Sequence, residues 1–249
     1  MTTSSTDERP YRALTQEEYS DIASRILYED NHLLIFNKRS GEIVQGDRTN
    51  DEALPQTLKR FIAARDSKPS RVFLGVTHRL DRPVSGIVVF AKTSKGLERM
   101  NELFRNGGVR KYYRALTEKE PRPEKGSIKS YLIRNEKQNK TYSHPAPVSG
   151  AKEAILNYKL IEKTEHYYLV EVELLTGRHH QIRCQLASIG CTIKGDLKYG
   201  AKRSNRDGSI SLQSHRIAFE HPIKHIPIEI TAPCTISELA GNHNRGTVH

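Results

Sequence analysis

Residues Val76–Lys92 read VTHRLDRPVSGIVVFAK and place one carboxylate, Asp81, on a short loop between two apolar segments. The segments before and after it, Val72–Thr77 and Ile87–Ala91, are rich in β-branched and aromatic residues, which predicts two buried strands. A proline and a glycine between them predict a turn. A loop held by two core strands presents its side chains rigidly and within reach of solvent, as catalytic groups require.

Asp81 lies between Arg79 and Arg82, and this local pattern has two interpretations. Adjacent cations favour the charged carboxylate, which suits a catalytic group. The same pattern also fits an ion pair that stiffens a turn, and this is the commoner role of such a short segment. The rest of the chain therefore has to decide the role of Asp81.

The charge balance points to a polyanionic partner. The 249 residues include 40 lysines and arginines against 29 acidic residues, a formal charge of +11. Nucleic acid ranks ahead of membrane because the chain shows no long apolar segment and no basic amphipathic helix. The polar N-terminus lacks the apolar region of a signal peptide, so we expect a soluble cytoplasmic protein. Its 3 cysteines form no Cys-x-x-Cys pair and indicate neither a disulfide framework nor a zinc ribbon.

Periodic apolar residues predict helices and strands on both sides of the Asp81 loop. Helices are expected from a Thr15/Glu18 capping box to about Ser24, from an Asn50/Asp51 cap to about Asp66, and from a Ser94 cap to Asn106. Strands are expected at 26–28, 33–36, 109–116, 127–133, 154–161 and 167–175, with further apolar segments at 211–219 and 226–230. The polar segment 135–150 is predicted to be a long exposed loop.

The segment Gly177–Gly190 carries the second chemical signal. Three residues recur at helical spacing and predict a helix with a core-facing stripe, namely Ile182, Leu186 and Ile189. Arg183 is one step off that stripe, so its guanidinium must meet an anion or stay in water. Asp81 is one candidate anion, and an internal structural ion pair fits the sequence equally well.

Two pairs of adjacent residues also bear on a site. Strand alternation places Tyr113 on one face and Tyr112 on the other, so one tyrosine can face a site while the other packs. The alternative is that both are ordinary strand aromatics. His179 and His180 diverge on a helix and lack a His-x-x-x-His spacing or a carboxylate partner, so we predict no metal site.

Three blocks of the chain match one family pattern. They are His78-Arg79-Leu80-Asp81 followed by Ser85-Gly86, Lys111-x-Tyr113-x-Ala115, and Gly177-Arg178-x-His180-Gln181-Ile182-Arg183 leading to Gly195-Asp196-x-x-Tyr199-Gly200. Asn37-Lys38 with Gly41, and Phe219-x-His221-Pro222, also fit. Together, and in the correct order over residues 25–233, these blocks resemble the RluA family of RNA pseudouridine synthases. Val84, His179 and Gln185 depart from residues common in that family, which leaves the RNA target open.

The resemblance implies an α+β domain with a mixed, mostly antiparallel sheet and a central basic cleft, in which Asp81 isomerises a uridine within RNA. A carboxylate can attack the anomeric carbon or remove a neighbouring sugar proton as the base departs, and both routes stay open. By the same resemblance, Tyr113 stacks on the target base and can help to remove the proton at its carbon 5, and Arg183 orients and ionises Asp81. The implied RNA contacts are Arg79, which fills the space of a flipped nucleotide, and His78, Arg82, Lys111, Arg178 and His180.

The expected organisation is an N-terminal extension over 1–24, a catalytic domain over 25–235 and a C-terminal tail over 236–249. The extension is too short for the S4-type RNA-binding module of many relatives. Because the reaction exchanges bonds within one nucleotide, we expect no metal and no small-molecule cofactor. We expect a cytoplasmic monomer that acts on structured RNA, either ribosomal or transfer RNA. The alternatives are a catalytically idle RNA-binding or assembly factor with this fold, and a glycosidic-bond hydrolase.

Overall fold

One large sheet with helices on both faces organises the chain. The structure, a computed structural model, describes residues 12–46, 51–67 and 72–234, and these ranges contain 11 strands and four α-helices. The strands are β1 (Ile26–Glu29), β2 (Leu33–Lys38), β3 (Gly75–Val76), β4 (Ser85–Ala91), β5 (Val109–Thr117), β6 (Lys125–Asn135), β7 (Lys140–His144), β8 (Lys152–Lys163), β9 (Tyr168–Leu174), β10 (Leu212–Glu220) and β11 (Pro227–Thr231). The helices are α1 (Gln16–Ser24), α2 (Leu54–Arg65), α3 (Ser94–Arg105) and α4 (Gln181–Ser188), with a 3-10 helix at Leu197–Tyr199.

The sheet forks at the start of β4. Its strand order is β1-β2-β4-β10-β5-β9-β8-β6-β7, and among the described strands only β4 and β10 pair in parallel, through Ser85 with Gln213 and Gly86 with Ser214. Beyond this point β4 pairs with β3, whereas β10 pairs with β11. The loop that carries Asp81 joins β3 to β4, so it enters at the fork. The predicted α+β class with a mixed, mostly antiparallel sheet is confirmed.

Two hydrophobic cores cover the two faces of the sheet. Phe36 and Val88 pack in one core with residues of α1, α2 and α4. Ile35 and Ile87 pack in the other core, against α3. Because both faces are covered, β4 is buried from Gly86 to Ala91, which accounts for its uninterrupted apolar sequence. None of the helices in the described part of the chain is long and apolar enough to cross a membrane.

Gly86 allows the two parallel strands to approach at the fork. Its φ is +108°, and a Cβ at this position would overlap the backbone oxygen of Ser214. Only glycine fits both the conformation and the space. The short parallel contact of β4 with β10, and with it the position of the Asp81 loop, therefore depends on this glycine.

We expect Gly86→Ala to lower the free energy of unfolding by at least about 2 kcal/mol, because overpacking against backbone adds to the cost of a positive φ. Urea unfolding followed by circular dichroism measures the loss. Gly190→Ala is the matched control, since Gly190 has a φ of +80° but nothing within 4 Å of its added Cβ. Equal losses in the two variants would show that the close approach of the strands contributes nothing.

The capping box of α1 is confirmed, and two predicted segments are wrong. Thr15 accepts the Glu18 backbone N–H at 3.1 Å, and the Glu18 carboxylate accepts that of Thr15 at 2.8 Å. Segment 135–150 is not a continuous loop, because β7 lies within it and pairs with β6. Its residues are polar and lie at a sheet edge, so they show no apolar alternation. Segment 72–77 is a strand only at β3, and Phe73 is 46% exposed.

The prediction for α4 is partly wrong. Ile182 and Leu186 are buried, but Ile189 follows the last turn and is 40% exposed. Arg183, predicted at the edge of the buried face, is itself buried at 5% exposure. The N-caps of α3 and α2 also differ from prediction, being Thr93 and Ala53. Residue 50 of the predicted α2 cap lies outside the described residues.

Candidate active site

A buried lysine holds the loop that carries Asp81. The ammonium of Lys38, at the end of β2, is 1% exposed and donates to the backbone oxygens of Arg39 (2.9 Å), Arg82 (3.2 Å) and Val84 (2.6 Å). Burial lowers its pKa to about 8. Three acceptors for three N–H donors satisfy this ammonium in the interior. Because two of the acceptors lie within three residues after Asp81, Lys38 holds the loop from which that carboxylate projects.

Arg183 on α4 joins two carboxylates. Its Nε and Nη2 donate to the two oxygens of Asp196 at 2.7 and 2.8 Å, and its Nη1 donates to Oδ2 of Asp81 at 3.0 Å. Burial opposes the charge of Arg183, but the hydrogen bonds and charges of both carboxylates outweigh burial and raise its pKa. The sequence predicted the contact with Asp81, whereas the bidentate contact belongs to Asp196. Asp196 thus holds the guanidinium of Arg183 in the position from which it contacts Asp81.

His180 approaches the same oxygen of Asp81. It precedes α4 with a φ of 52°, a left-handed conformation that is uncommon outside glycine. Its Nε2 lies 3.4 Å from Oδ2 of Asp81, and its Nδ1 lies 3.0 Å from the hydroxyl of Tyr199. Its ring stacks on His179 with centroids 3.7 Å apart. Burial lowers the pKa of His180 to about 3, so the ring is neutral at physiological pH.

Tyr113 forms one wall of the site. It lies on β5, is 6% exposed and belongs to the core shared with α1, α2 and α4. Tyr112 contacts Glu173 through its hydroxyl, on the other face of the strand, as the alternation predicted. Burial raises the pKa of Tyr113 to about 12, so its hydroxyl stays protonated at neutral pH. The side chain therefore offers a ring face for stacking and one O–H donor.

Asp81, Tyr113 and Arg183 line a single cavity of about 570 Å³. This volume is within the range of small-molecule sites. Asp81 is the only carboxylate among the described residues that line it, whereas the lining includes further cations, namely Arg79, Arg105, Lys111 and Arg178. The cavity is therefore electropositive around one acid, which favours a polyanionic substrate.

Most of the predicted RNA contacts line this cavity, namely His78, Arg79, Lys111, Arg178 and His180. Arg82 lies outside the lining and forms an ion pair with Asp51 at 2.7 Å. His78 also has a structural contact, because its Nε2 accepts the backbone N–H of Val89 at 3.0 Å. Burial lowers the pKa of His78 to about 3, which keeps this nitrogen free to accept.

Sequence reasoning missed three residues that hold the site: Lys38, Asp196 and Tyr199. Each one belongs to a block that matched the family pattern, and those blocks were the available signal. Local sequence gave them no role, since Asp196 and Tyr199 sit in a glycine-rich turn and Lys38 ends a strand. Their partners come from elements far away in the chain, so the contacts depend on tertiary packing.

Comparisons with known proteins identify the family of the chain. The chain matches the family model for RNA pseudouridylate synthase over residues 32–188. It is 33% identical over 228 residues to an uncharacterized RNA pseudouridine synthase of Mycoplasma genitalium, covering 91% of this chain and 72% of the relative. It is 32% identical over 220 residues to ribosomal large subunit pseudouridine synthase C of Vibrio vulnificus, covering 86% and 67%. The structure of human RNA pseudouridylate synthase domain containing 4 shares the fold, with a TM-score of 0.75 at 22% identity over 90% of this chain and 94% of that chain.

An electropositive cavity of this size, built around one carboxylate, is suited to an enzyme with an anionic substrate. The chain belongs to the RNA pseudouridylate synthase family, and its motif blocks and relatives place it in the RluA group. The protein is therefore an isomerase that acts on RNA and converts uridine to pseudouridine.

Proposed function

We propose that this protein isomerises specific uridines of large-subunit ribosomal RNA and that Asp81 is the group that reacts with the nucleotide. The observation that carries the proposal is the position of Asp81. Among the described residues it is the only carboxylate in the cavity wall. Lys38 holds its loop through hydrogen bonds to the backbone, and the buried Arg183 donates to its carboxylate.

The chemistry needs one such carboxylate and no second substrate. Isomerisation breaks the bond from C1′ of the ribose to N1 of uracil, and forms a bond from C1′ to C5 of the same base. Asp81 can attack C1′ as uracil leaves, or it can take a proton from C2′. Uracil leaves with the electron pair of the broken bond on N1, turns within the cavity, and bonds to C1′ through C5. As this bond forms, the bond from Asp81 to C1′ breaks in the first route, and Asp81 returns its proton to C2′ in the second. The C5 proton is then lost and N1 takes up a proton, which restores the aromatic base.

Two further residues fit roles in handling the base. Tyr113 provides a buried ring at the wall of the cavity, against which a flat base can stack. Arg79 is exposed at the cavity, with its Nη1 3.2 Å from Oε1 of Gln45. A flexible cation at this place can occupy the space left by a flipped nucleotide, which offsets part of the few kcal/mol that flipping costs.

The choice of ribosomal RNA rests on the relatives. Those with assigned targets include ribosomal large subunit pseudouridine synthase C of Vibrio vulnificus and ribosomal large subunit pseudouridine synthase D of Zymomonas mobilis, the latter 29% identical over 225 residues. We therefore propose that the substrate of this chain is a structured segment of the same RNA.

Unmodified transcripts of large-subunit ribosomal RNA and of transfer RNAs, incubated separately with the protein, test this proposal. Carbodiimide mapping is expected to show pseudouridine at a few positions of the ribosomal RNA. Modification of transfer RNA alone would overturn the proposed target. Binding of RNA with no pseudouridine in either would match an idle assembly factor, and release of free uracil would match a hydrolase.

Lys111 is expected to contact a phosphate of the RNA. Its ammonium has no hydrogen-bond acceptor among the described residues, lines the cavity, and has its pKa lowered by burial. We expect Lys111→Met to weaken RNA binding and to reduce the slope of log Kd against log salt by about one. Filter binding at several salt concentrations measures both. Lys159→Met, at an exposed position on β8, is the control and should leave the slope unchanged. The same slope for both variants would contradict a phosphate contact at Lys111.

A further inference from the structure

The contacts of Tyr199 bear on which nitrogen of His180 carries a proton. The Tyr199 hydroxyl accepts the backbone N–H of Thr141 at 2.9 Å, and it lies 3.0 Å from Nδ1 of His180, to which it can donate its own proton. Burial raises the pKa of Tyr199 to about 12, so the hydroxyl keeps that proton. This contact suits the tautomer in which Nδ1 accepts and Nε2 carries the ring proton.

The other side of the ring leads to the same tautomer. Nε2 of His180 lies 3.4 Å from Oδ2 of Asp81. An unprotonated Nε2 would set its lone pair close to that of a carboxylate oxygen, whereas an N–H at this nitrogen has an acceptor nearby. The distance is longer than an ordinary hydrogen bond, and catalytic hydrogen bonds commonly shorten when substrate binds.

Two neighbouring rings hold the imidazole of His180 in place, and it stays neutral. It stacks on His179 and meets Tyr199 edge to face with centroids 5.7 Å apart, and its side chain is 5% exposed. Burial is the largest cause of the lowered pKa of His180, so only one of its two ring nitrogens carries a proton. The charged and titratable groups that face the ring are Asp81, which favours protonation, and Arg183, His179 and Lys198, which oppose it.

Two nitrogens thus lie close to one oxygen of Asp81. Arg183 Nη1 donates to Oδ2 at 3.0 Å, and Nε2 of His180 lies 3.4 Å from the same atom. No described residue donates to Oδ1, which leaves this oxygen for the nucleotide. The left-handed backbone of His180 is a strained conformation, and such strain persists where surrounding contacts impose it.

We propose that His180 is a positioning residue that donates a hydrogen bond from its neutral Nε2–H to Oδ2 of Asp81 and thereby presents Oδ1 as the reacting oxygen. The proposal rests on the proposed function, because it assigns a role relative to Asp81 in the same reaction. It treats the imidazole as a fixed neutral donor that exchanges no proton with the substrate. It also gives the residue a function other than contact with RNA.

His180→Asn and His180→Gln separate this role from others. Asparagine adopts the left-handed conformation readily but is too short to reach Asp81. Glutamine carries one acceptor and one donor on its amide, as neutral imidazole does, and cannot take up a proton. His225→Asn is the control, because His225 shares the left-handed backbone with a φ of 54° but is exposed, contacts Glu220 and lies outside the cavity lining. Thermal unfolding of each variant verifies that it is folded.

Single-turnover rates of pseudouridine formation are measured against pH with the RNA that wild type modifies. We expect His180→Asn to lower the rate about 10- to 100-fold at unchanged RNA affinity. The acidic limb of the pH–rate profile of His180→Asn should move to higher pH, because the Asp81 carboxylate has lost a donor that favours its charged form. We expect His180→Gln to recover most of the rate and the acidic limb of wild type, and His225→Asn to keep both.

Equal loss in His180→Asn and His180→Gln would overturn the proposal, since it would show that the imidazole itself is required. An unchanged acidic limb in a folded, slow His180→Asn would also overturn it and indicate a purely structural role. These outcomes differ from failure of the proposed function, in which wild type binds RNA but forms no pseudouridine.

Discussion

Replacing Asp81 by asparagine is expected to reduce pseudouridine formation on the order of 10³-fold or more, while the protein still folds and binds RNA. Asparagine has nearly the volume of aspartate, and its amide oxygen can still accept from Nη1 of Arg183. It cannot act as a nucleophile or take a proton from the sugar. The loss therefore falls on the chemical step. Removal of a negative charge among phosphates does not weaken RNA binding.

Single-turnover rates and filter binding, measured with the same RNA, separate the two effects. Asp207→Asn is the matched control, because Asp207 lies outside the cavity lining and, among the residues that the structure describes, its carboxylate accepts hydrogen bonds from Ser209 in its own loop. The control should react at the rate of wild type. If Asp81→Asn kept more than about a tenth of the wild-type rate, Asp81 could not be the reacting group.

Replacing Asp196 by asparagine is expected to cost about 3 kcal/mol of unfolding free energy, the largest stability effect among the site variants. Asp196 is 1% exposed and Arg183 is 5% exposed, so the change leaves a buried cation with half of its carboxylate partners. The asparagine can still accept one of the two hydrogen bonds that Arg183 donates to Asp196. The expected loss is therefore at the lower end of the range for a broken buried ion pair. We also expect a slower reaction, because Arg183 is no longer held for Asp81.

Urea unfolding of Asp196→Asn beside Glu229→Gln gives the comparison. Glu229 forms an ion pair of similar length with Arg216, at 2.9 Å, but its side chain is 55% exposed. Solvent screens such a pair, so its loss should cost no more than about 1 kcal/mol. If both variants lost the same stability, the buried pair of Arg183 and Asp196 would not be a structural centre of the site.

The sequence predicted the strands of the sheet better than its edges. β2 and β4 are covered on both faces, and their continuous apolar runs identify them without any knowledge of the fold. β7 lies at an edge and is polar, so it reads as a loop. β3 has only two residues. The sequence of Val72–Thr77 predicts a longer strand, because apolar residues in a row are typical of a buried strand.

Within the site, the sequence identified the residues that face the cavity better than those that support them. Asp81, Tyr113 and Arg183 lie in blocks whose pattern resembles a known family, and the structure places all three in one cavity. The contacts of Lys38 and of Asp196 come from loops and helices that meet only after folding. A buried lysine and a buried aspartate also contradict the usual preference of these residues for the surface. Their positions therefore required the structure.

Carbodiimide mapping of large-subunit ribosomal RNA from cells that lack this protein, and from the same cells supplied with wild type or Asp81→Asn, tests the central claim most directly. We predict that specific pseudouridines are absent without the protein, return with wild type, and stay absent with Asp81→Asn expressed at the same level. Return of these sites with Asp81→Asn, or no change in any pseudouridine on loss of the protein, would contradict the claim that Asp81 isomerises uridines of this RNA.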